Sequence, residues 1–140
     1  IQLTQVSQDA VVYDLYCGTG TLGICMANQV KQVIGIDLSP ESTLDARENI
    51  KNNHLSNVSI HTGDVSQLLP SLLHDHQLWP DIVMVDPPRA GLDAKALQHL
   101  LQIKAPQLTY ISCNPVTQVA NLEALIKGGY RLKAVQPVDQ

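Results

Sequence analysis

The chain has 140 residues, 44% apolar and 16% charged, with nine Lys and Arg against thirteen Asp and Glu for a net charge of −4. That is the composition of one globular domain, 1–140, and no run of about 18 apolar residues or basic-then-apolar leader points to a membrane or an export route. The chain is therefore expected to be soluble and cytosolic or nuclear, with cytoplasmic as the first choice; Cys17, Cys25 and Cys113 are widely spaced and include no CxxC, which argues against a disulfide framework and a structural metal site. The acidic balance also argues against a surface that grips nucleic acid unaided.

Strand and helix signals alternate along the chain. Residues 1–7 look like the tail of a helix. Val11–Leu15 and 33–37 are short apolar runs of the buried parallel type, and 58–61 is a weaker third strand. Ser39-Pro40 caps and opens a helix that runs to about Asn53. Residues 81–86 read as a fourth strand. Asp93 then caps a helix carrying Leu97, Leu100 and Leu101, which closes before Pro106. A fifth strand spans 108–112, and Asn114-Pro115 opens a last helix that stops at Gly128-Gly129. Residues 131–135 read as a sixth strand. The pattern predicts a doubly wound, Rossmann-like α/β sheet, with ligands beyond the carboxyl ends of its strands.

Three runs sit at such ends. The first, Asp14-Leu-Tyr16-Cys-Gly18-Thr-Gly20, continues to Gly23 as G-x-G-x-x-G, with Asp37 where a ribose-binding acid belongs. Taken alone, this turn fits NAD as readily as any nucleotide-like cofactor. Asp14 breaks the tie. A carboxylate at the mouth of the first strand repels a pyrophosphate but suits a ligand bearing an ammonium group. S-adenosylmethionine has an ammonium, a sulfonium and a ribose, and no phosphate. Asp64, after the third strand, joins the same set, although it could equally just cap a helix.

The second run is Asp86-Pro87-Pro88-Arg89-Ala90-Gly91. Two prolines stiffen it, and a rigidly held carboxylate suits recognition of a planar base edge. Amino-methyltransferases carry related turns followed by an aromatic residue; here Arg89 follows, for which a surface salt bridge is the plain alternative. The third run is Ser112-Cys113-Asn114-Pro115. Cys17 and Cys25 read as small buried hydrophobes. Cys113 differs because a helix begins immediately after it, and helix N-terminal amides favour the thiolate. A thiolate that adds at C6 of a uracil turns C5 into a nucleophile towards a sulfonium methyl, and a base must then remove the C5 proton. An exocyclic amine needs none of this.

In order along the whole chain, these runs resemble the RNA uracil-5 methyltransferases, which make 5-methyluridine in tRNA or rRNA. The resemblance implies S-adenosylmethionine as donor, Cys113 as nucleophile and Asp86 at the target base. Asp14, Tyr16, Gly18, Gly20, Asp37, Asp64 and Asp86 form the expected donor-binding set. It also implies a glutamate base in a Phe-Pro-x-Thr-x-His-x-Glu-like segment beyond residue 140, a donor-contacting glutamine before residue 1, and a strand inserted between the fifth and sixth. The chain therefore reads as an inactive or nearly inactive fragment, with RNA held mainly by other domains. The rival readings are an amino-methyltransferase using the Asp-Pro-Pro turn, a non-catalytic binding module of the same fold, and an NAD-dependent oxidoreductase.

Overall fold

A computed structural model describes residues 6–76 and 78–138. Five strands run parallel in the order β3-β2-β1-β4-β5: β1 Val11–Leu15, β2 Gln32–Asp37, β3 Val58–Thr62, β4 Ile82–Val85 and β5 Gln107–Tyr110. The helices between them are α1 Thr21–Met26, α2 Pro40–Asn52, α3 Val65–His76, α4 Ala94–Ile103 and α5 Pro115–Lys127, with a 3₁₀ turn at Ala27–Gln29. The doubly wound expectation therefore holds for the strands through β5.

Alternation along the strands explains the two-sided core. Val11, Tyr13 and Leu15 of β1 pack with Val83 and Val85 of β4 on one face, against Leu69, Leu100 and Leu125 of α3, α4 and α5. Val12, Val33, Ile82 and Met84 pack on the other face, with Leu22 and Met26 of α1. Asp14 falls on this second face, beneath α1.

Three helix starts follow their capping residues. Ser39 Oγ accepts from the Ser42 amide, Asp93 Oδ1 from Lys95 and Ala96, and Asn114 Oδ1 from Val116. Helix α3 is less obvious in the sequence because Pro70 lies inside it. Proline has no N–H to give the Ser66 carbonyl four residues back. The ring of His99 on α4 stands in, with Nε2 at 3.0 Å from that carbonyl. A carbonyl only accepts, so Nε2 carries the proton.

Two expectations fail here. Residues 131–138 form no strand, and Leu132, Val135 and Val138 are exposed. Their alternating pattern supplies propensity, but a strand persists only with a ladder partner, and among the described residues none lies beside them. At the other end, Val6 and Ser7 are not helical, and residues 1–5 of that expected helix tail lie outside the described residues.

The repair of α3 is testable by a double-mutant cycle. His99→Ala should destabilise the chain to urea by about 1 kcal/mol, and by much less in a Pro70→Ala background, where the restored amide can serve Ser66. Equal costs in the two backgrounds would refute the substitution of one donor for the other.

Candidate active site

The carboxyl ends of β1, β2, β4 and β5 meet at one edge because parallel pairing runs on into the loops. The Cys17 amide donates to Ile36 O at 3.1 Å, the Asp86 amide to Leu15 O at 3.2 Å and the Ile111 amide to Val85 O at 2.8 Å. All three sequence runs are thereby brought together, as their placement at strand ends predicted.

The turn after β1 uses three left-handed residues, Tyr16 (φ 63°), Gly18 (φ 53°) and Gly20 (φ 79°). A β-carbon on Gly18 would meet nothing within 4 Å, so the space above the turn is open. Gly23 answers a different need. A β-carbon there would stand 2.8 Å from Val33 Cγ1 and 3.0 Å from Asp14 Oδ2, so only glycine lets α1 lie this close to the sheet. Asp37 ties the turn to β2, with Oδ2 accepting from the Gly18 amide at 2.8 Å and Oδ1 from the Ser39 amide at 2.9 Å. Each oxygen keeps a lone pair for a further donor.

Asp14 is 1% exposed. Its Oδ2 accepts from the Gly23 amide at 2.9 Å, while Oδ1 is buried with no partner. Burial pushes its pKa up to about 6; the Gly23 amide pulls down, and the nearby charges of Asp86 and Asp37 push up again. Burial likewise raises Tyr16, helped by Asp93, Asp64 and Tyr110. Asp64 caps α3, accepting from Ser66 Oγ and from the Gln67 amide at 3.2 Å. The edge is thus acidic, and it suits a cationic ligand.

The thiols separate cleanly. Cys17 is half-buried and its pKa is raised to about 12, first by burial and then by Asp14 and Asp37, so it stays a neutral thiol. Cys25, expected to be buried, is exposed: Gly23 and Ala27 take the inward side of this stretch, leaving Cys25 on the outer side. Cys113 is exposed on the loop between β5 and α5. In that loop Ser112 Oγ accepts from the Asn114 amide at 2.9 Å and donates to the Asn114 carbonyl at 3.0 Å. Asp86 is exposed at the end of β4, and Pro87 behind it is buried. Among the described residues Arg89 forms no ion pair, so the salt-bridge alternative finds no support. Its carbonyl instead accepts from Asn114 Nδ2 at 2.9 Å and Thr117 Oγ1 at 3.0 Å.

Sequence reasoning missed Thr117 and Asn121. Asn121 Oδ1 accepts from the Leu92 amide and the Tyr110 hydroxyl. The available signal was the spacing of the polar residues 114, 117 and 121 at the N-cap and along one stripe of the helix that follows. Among the described residues no group of three or more His, Cys, Asp or Glu could hold a metal ion, and no helix is long and apolar enough to cross a membrane.

A family profile described as tRNA (Uracil-5-)-methyltransferase matches residues 1–140. An uncharacterized RNA methyltransferase of Protochlamydia amoebophila is 66% identical over 140 residues, all of this chain and 32% of that protein. One from Chlamydia pneumoniae is 43% identical over 128 residues, covering 91% of this chain and 31% of that protein. The chain therefore spans about a third of the length of these relatives. Among solved structures, the Pyrococcus abyssi tRNA (uracil-54, C5)-methyltransferase in complex with S-adenosyl-L-homocysteine superposes with a TM-score of 0.71 at 28% identity, over 85% of this chain and 28% of that one. An rRNA methylase of Streptococcus thermophilus reaches 0.71 at 15% identity, over 96% and 81%, which speaks to the fold alone.

The burial of Asp14 has a consequence for stability. Ionising it is harder in the folded chain than in the unfolded one, so the folded chain holds the proton more tightly. The contribution is full below the ordinary carboxylate value of 3.8 and is lost as pH rises through about 6. The loss is on the order of 3 kcal/mol. Asp14→Asn keeps an acceptor for Gly23 and cannot ionise. In urea unfolding, the stability of the wild type relative to Asp14→Asn should fall across that window; a flat difference would refute the raised pKa.

Proposed function

The chain belongs to the tRNA (uracil-5-)-methyltransferase family, and from that premise we propose that residues 1–140 form the donor-binding, nucleophile-bearing domain of an S-adenosylmethionine-dependent RNA methyltransferase. Its target is C5 of a uridine in tRNA or rRNA. The carrying observation is the exposed Cys113 at the sheet edge that also holds the Asp86 turn and the glycine turn, its loop tied to the Asp86 loop through the Ile111–Val85 and Asn114–Arg89 hydrogen bonds.

The residues present fit the donor. Gly18 leaves open space over the turn, and Asp37 has lone pairs left for ribose hydroxyls. The unpartnered Oδ1 of Asp14 is buried, so Asp14 acts by its field rather than by direct contact. A cation held above would offset part of the burial that raises its pKa. Tyr16 and Gly20 shape the turn, and Asp64 and Asp86 complete the acidic rim. S-adenosylmethionine supplies an electrophilic methyl group.

The chemistry of the chain then falls to Cys113. Its Sγ lone pair forms a bond to C6 of the uracil, and the C5–C6 π pair moves to C5 and O4 as an enolate. C5 takes the methyl through that pair as the sulfonium–methyl bond breaks, its electrons staying on the donor sulfur, which leaves as the neutral thioether. Loss of the C5 proton to a base re-forms the C5–C6 double bond and expels the thiolate. No residue of this chain is assigned as that base. Asp86, held by its prolines, orients the base edge next to the thiol. With a net charge of −4, residues 1–140 leave most phosphate contacts to the rest of a protein of the relatives' length.

Fluorine at C5 cannot leave as a proton, so RNA containing 5-fluorouridine traps the adduct. A protein of the relatives' length carrying this chain should form a donor-dependent covalent adduct on a denaturing gel, abolished in Cys113→Ala. An adduct that survives Cys113→Ala would remove the nucleophile assignment. Donor binding without any adduct, on tRNA and rRNA pools alike, would favour amino methylation or a non-catalytic module.

A further inference from the structure

Asn114, the N-cap of α5, and Thr117 and Asn121 within the helix are spaced i, i+3 and i+7, along one side of it. All three reach the segment that follows Asp86. Asn114 Nδ2 and Thr117 Oγ1 share the Arg89 carbonyl, at 2.9 and 3.0 Å. Asn121 Oδ1 accepts from the Leu92 amide at 2.9 Å and the Tyr110 hydroxyl at 2.8 Å, and Asn121 Nδ2 lies 3.4 Å from the Leu92 carbonyl. Gly91 lies under the stripe. Its φ is +81°, and a β-carbon there would stand 2.6 Å from Asn121 Oδ1 and 3.3 Å from Thr117 Cβ.

These bonds are not what seats α5 on the core, which is done by the buried Leu125. Apart from the one from the Tyr110 hydroxyl at the end of β5, they go to one loop. Sheet pairing between the two loops ends at the Ile111–Val85 hydrogen bond, so beyond it the Asp86 turn and the Cys113 loop would be free to diverge. The stripe carries their registration past the end of the ladder.

We propose that Asn114, Thr117 and Asn121 are positioning residues that fix the Asp86 turn relative to Cys113, which precedes the N-cap of the same helix. The proposal rests on the roles given above to Cys113 and Asp86. A base between a thiolate and a carboxylate reacts only when both are in place, and an error of about 1 Å costs on the order of a hundredfold in rate.

The test uses a protein of the relatives' length with two readouts. Asn121→Leu removes the acceptor at nearly constant volume. Amide exchange at Leu92 should accelerate about tenfold or more while Ile111 and the strand amides keep their protection. The rate of donor-dependent adduct formation on 5-fluorouridine RNA should fall about tenfold or more, with the half-saturating S-adenosylmethionine concentration within about twofold of wild type. Thr117→Val should slow the adduct severalfold, and Thr117→Ser, which keeps the hydroxyl, should restore it. Wild-type adduct rates in both Asn121→Leu and Thr117→Val, with Leu92 exchange accelerated, overturn the proposal and leave the covalent reading standing. Should Asn121→Leu also lose strand protection, the Thr117 pair decides alone, and equal rates for valine and serine overturn it. A wild type that forms no adduct has failed at the covalent reading itself, and the proposal falls with it.

Discussion

Parallel pairing of β4 with both β1 and β5 is the constraint from which the site follows. In a parallel sheet every chain leaves its strand at the same edge, and each crossover must return along a face. The ladder does not stop at the last strand residues: Asp86 still donates to Leu15 and Ile111 still donates to Val85. Three loops far apart in sequence are therefore delivered side by side with backbone accuracy. The helices gain their buried positions from the same arrangement, since Leu100 and Leu125 pack over Val83 and Val85. The apolar core and the polar edge are two consequences of one hydrogen-bond pattern.

That edge is held at some cost. Asp14 is placed where its carboxylate is almost wholly removed from water, with a single amide to balance one oxygen. Tyr16, a bulky residue, adopts a left-handed backbone conformation, which costs roughly 1–3 kcal/mol and persists only when its surroundings hold it. Here they do. Asp37 grips the Gly18 amide from β2, and Asn49 of α2 reaches the Thr19 carbonyl at 3.2 Å.

The sequence was most legible where a local rule decides the structure. Ser39-Pro40, Asp93 and Asn114-Pro115 each cap the helix they announce, because a cap needs only its next three residues. Long-range substitutions were not legible. Pro70 should have ended α3, and it does not because a histidine 29 residues later supplies the missing donor. The alternation at 131–135 met no ladder partner, so propensity counted for nothing there. Cys25 has the same composition-level signature as Cys17, and only the helix phase separates an outer position from an inner one. The three motif loops were placed correctly from strand order, whereas the stripe on α5 that locks two of them together depends on which face that helix turns to the loop.

The three cysteines show how burial, rather than residue type, distributes chemistry over this fold. Cys17 lies at the end of β1, next to the glycine turn and nearer in sequence than Cys113 to the residues proposed to bind the donor. Burial and two carboxylates keep it a neutral thiol, and its sulfur instead fills the space that glycine leaves at position 35, where a β-carbon would stand 3.0 Å from Sγ. Cys25 is exposed, but it stands on the outer side of α1, away from the edge where β4 and β5 end. Only Cys113 combines exposure with a place beside the Asp86 turn. Asp14 and Asp37, which would favour a cationic ligand at the first turn, add to the burial that keeps the thiol beside it neutral. Cys113, the nucleophile proposed for this edge, lies on the far side of the sheet's centre, past β4, where α5 begins.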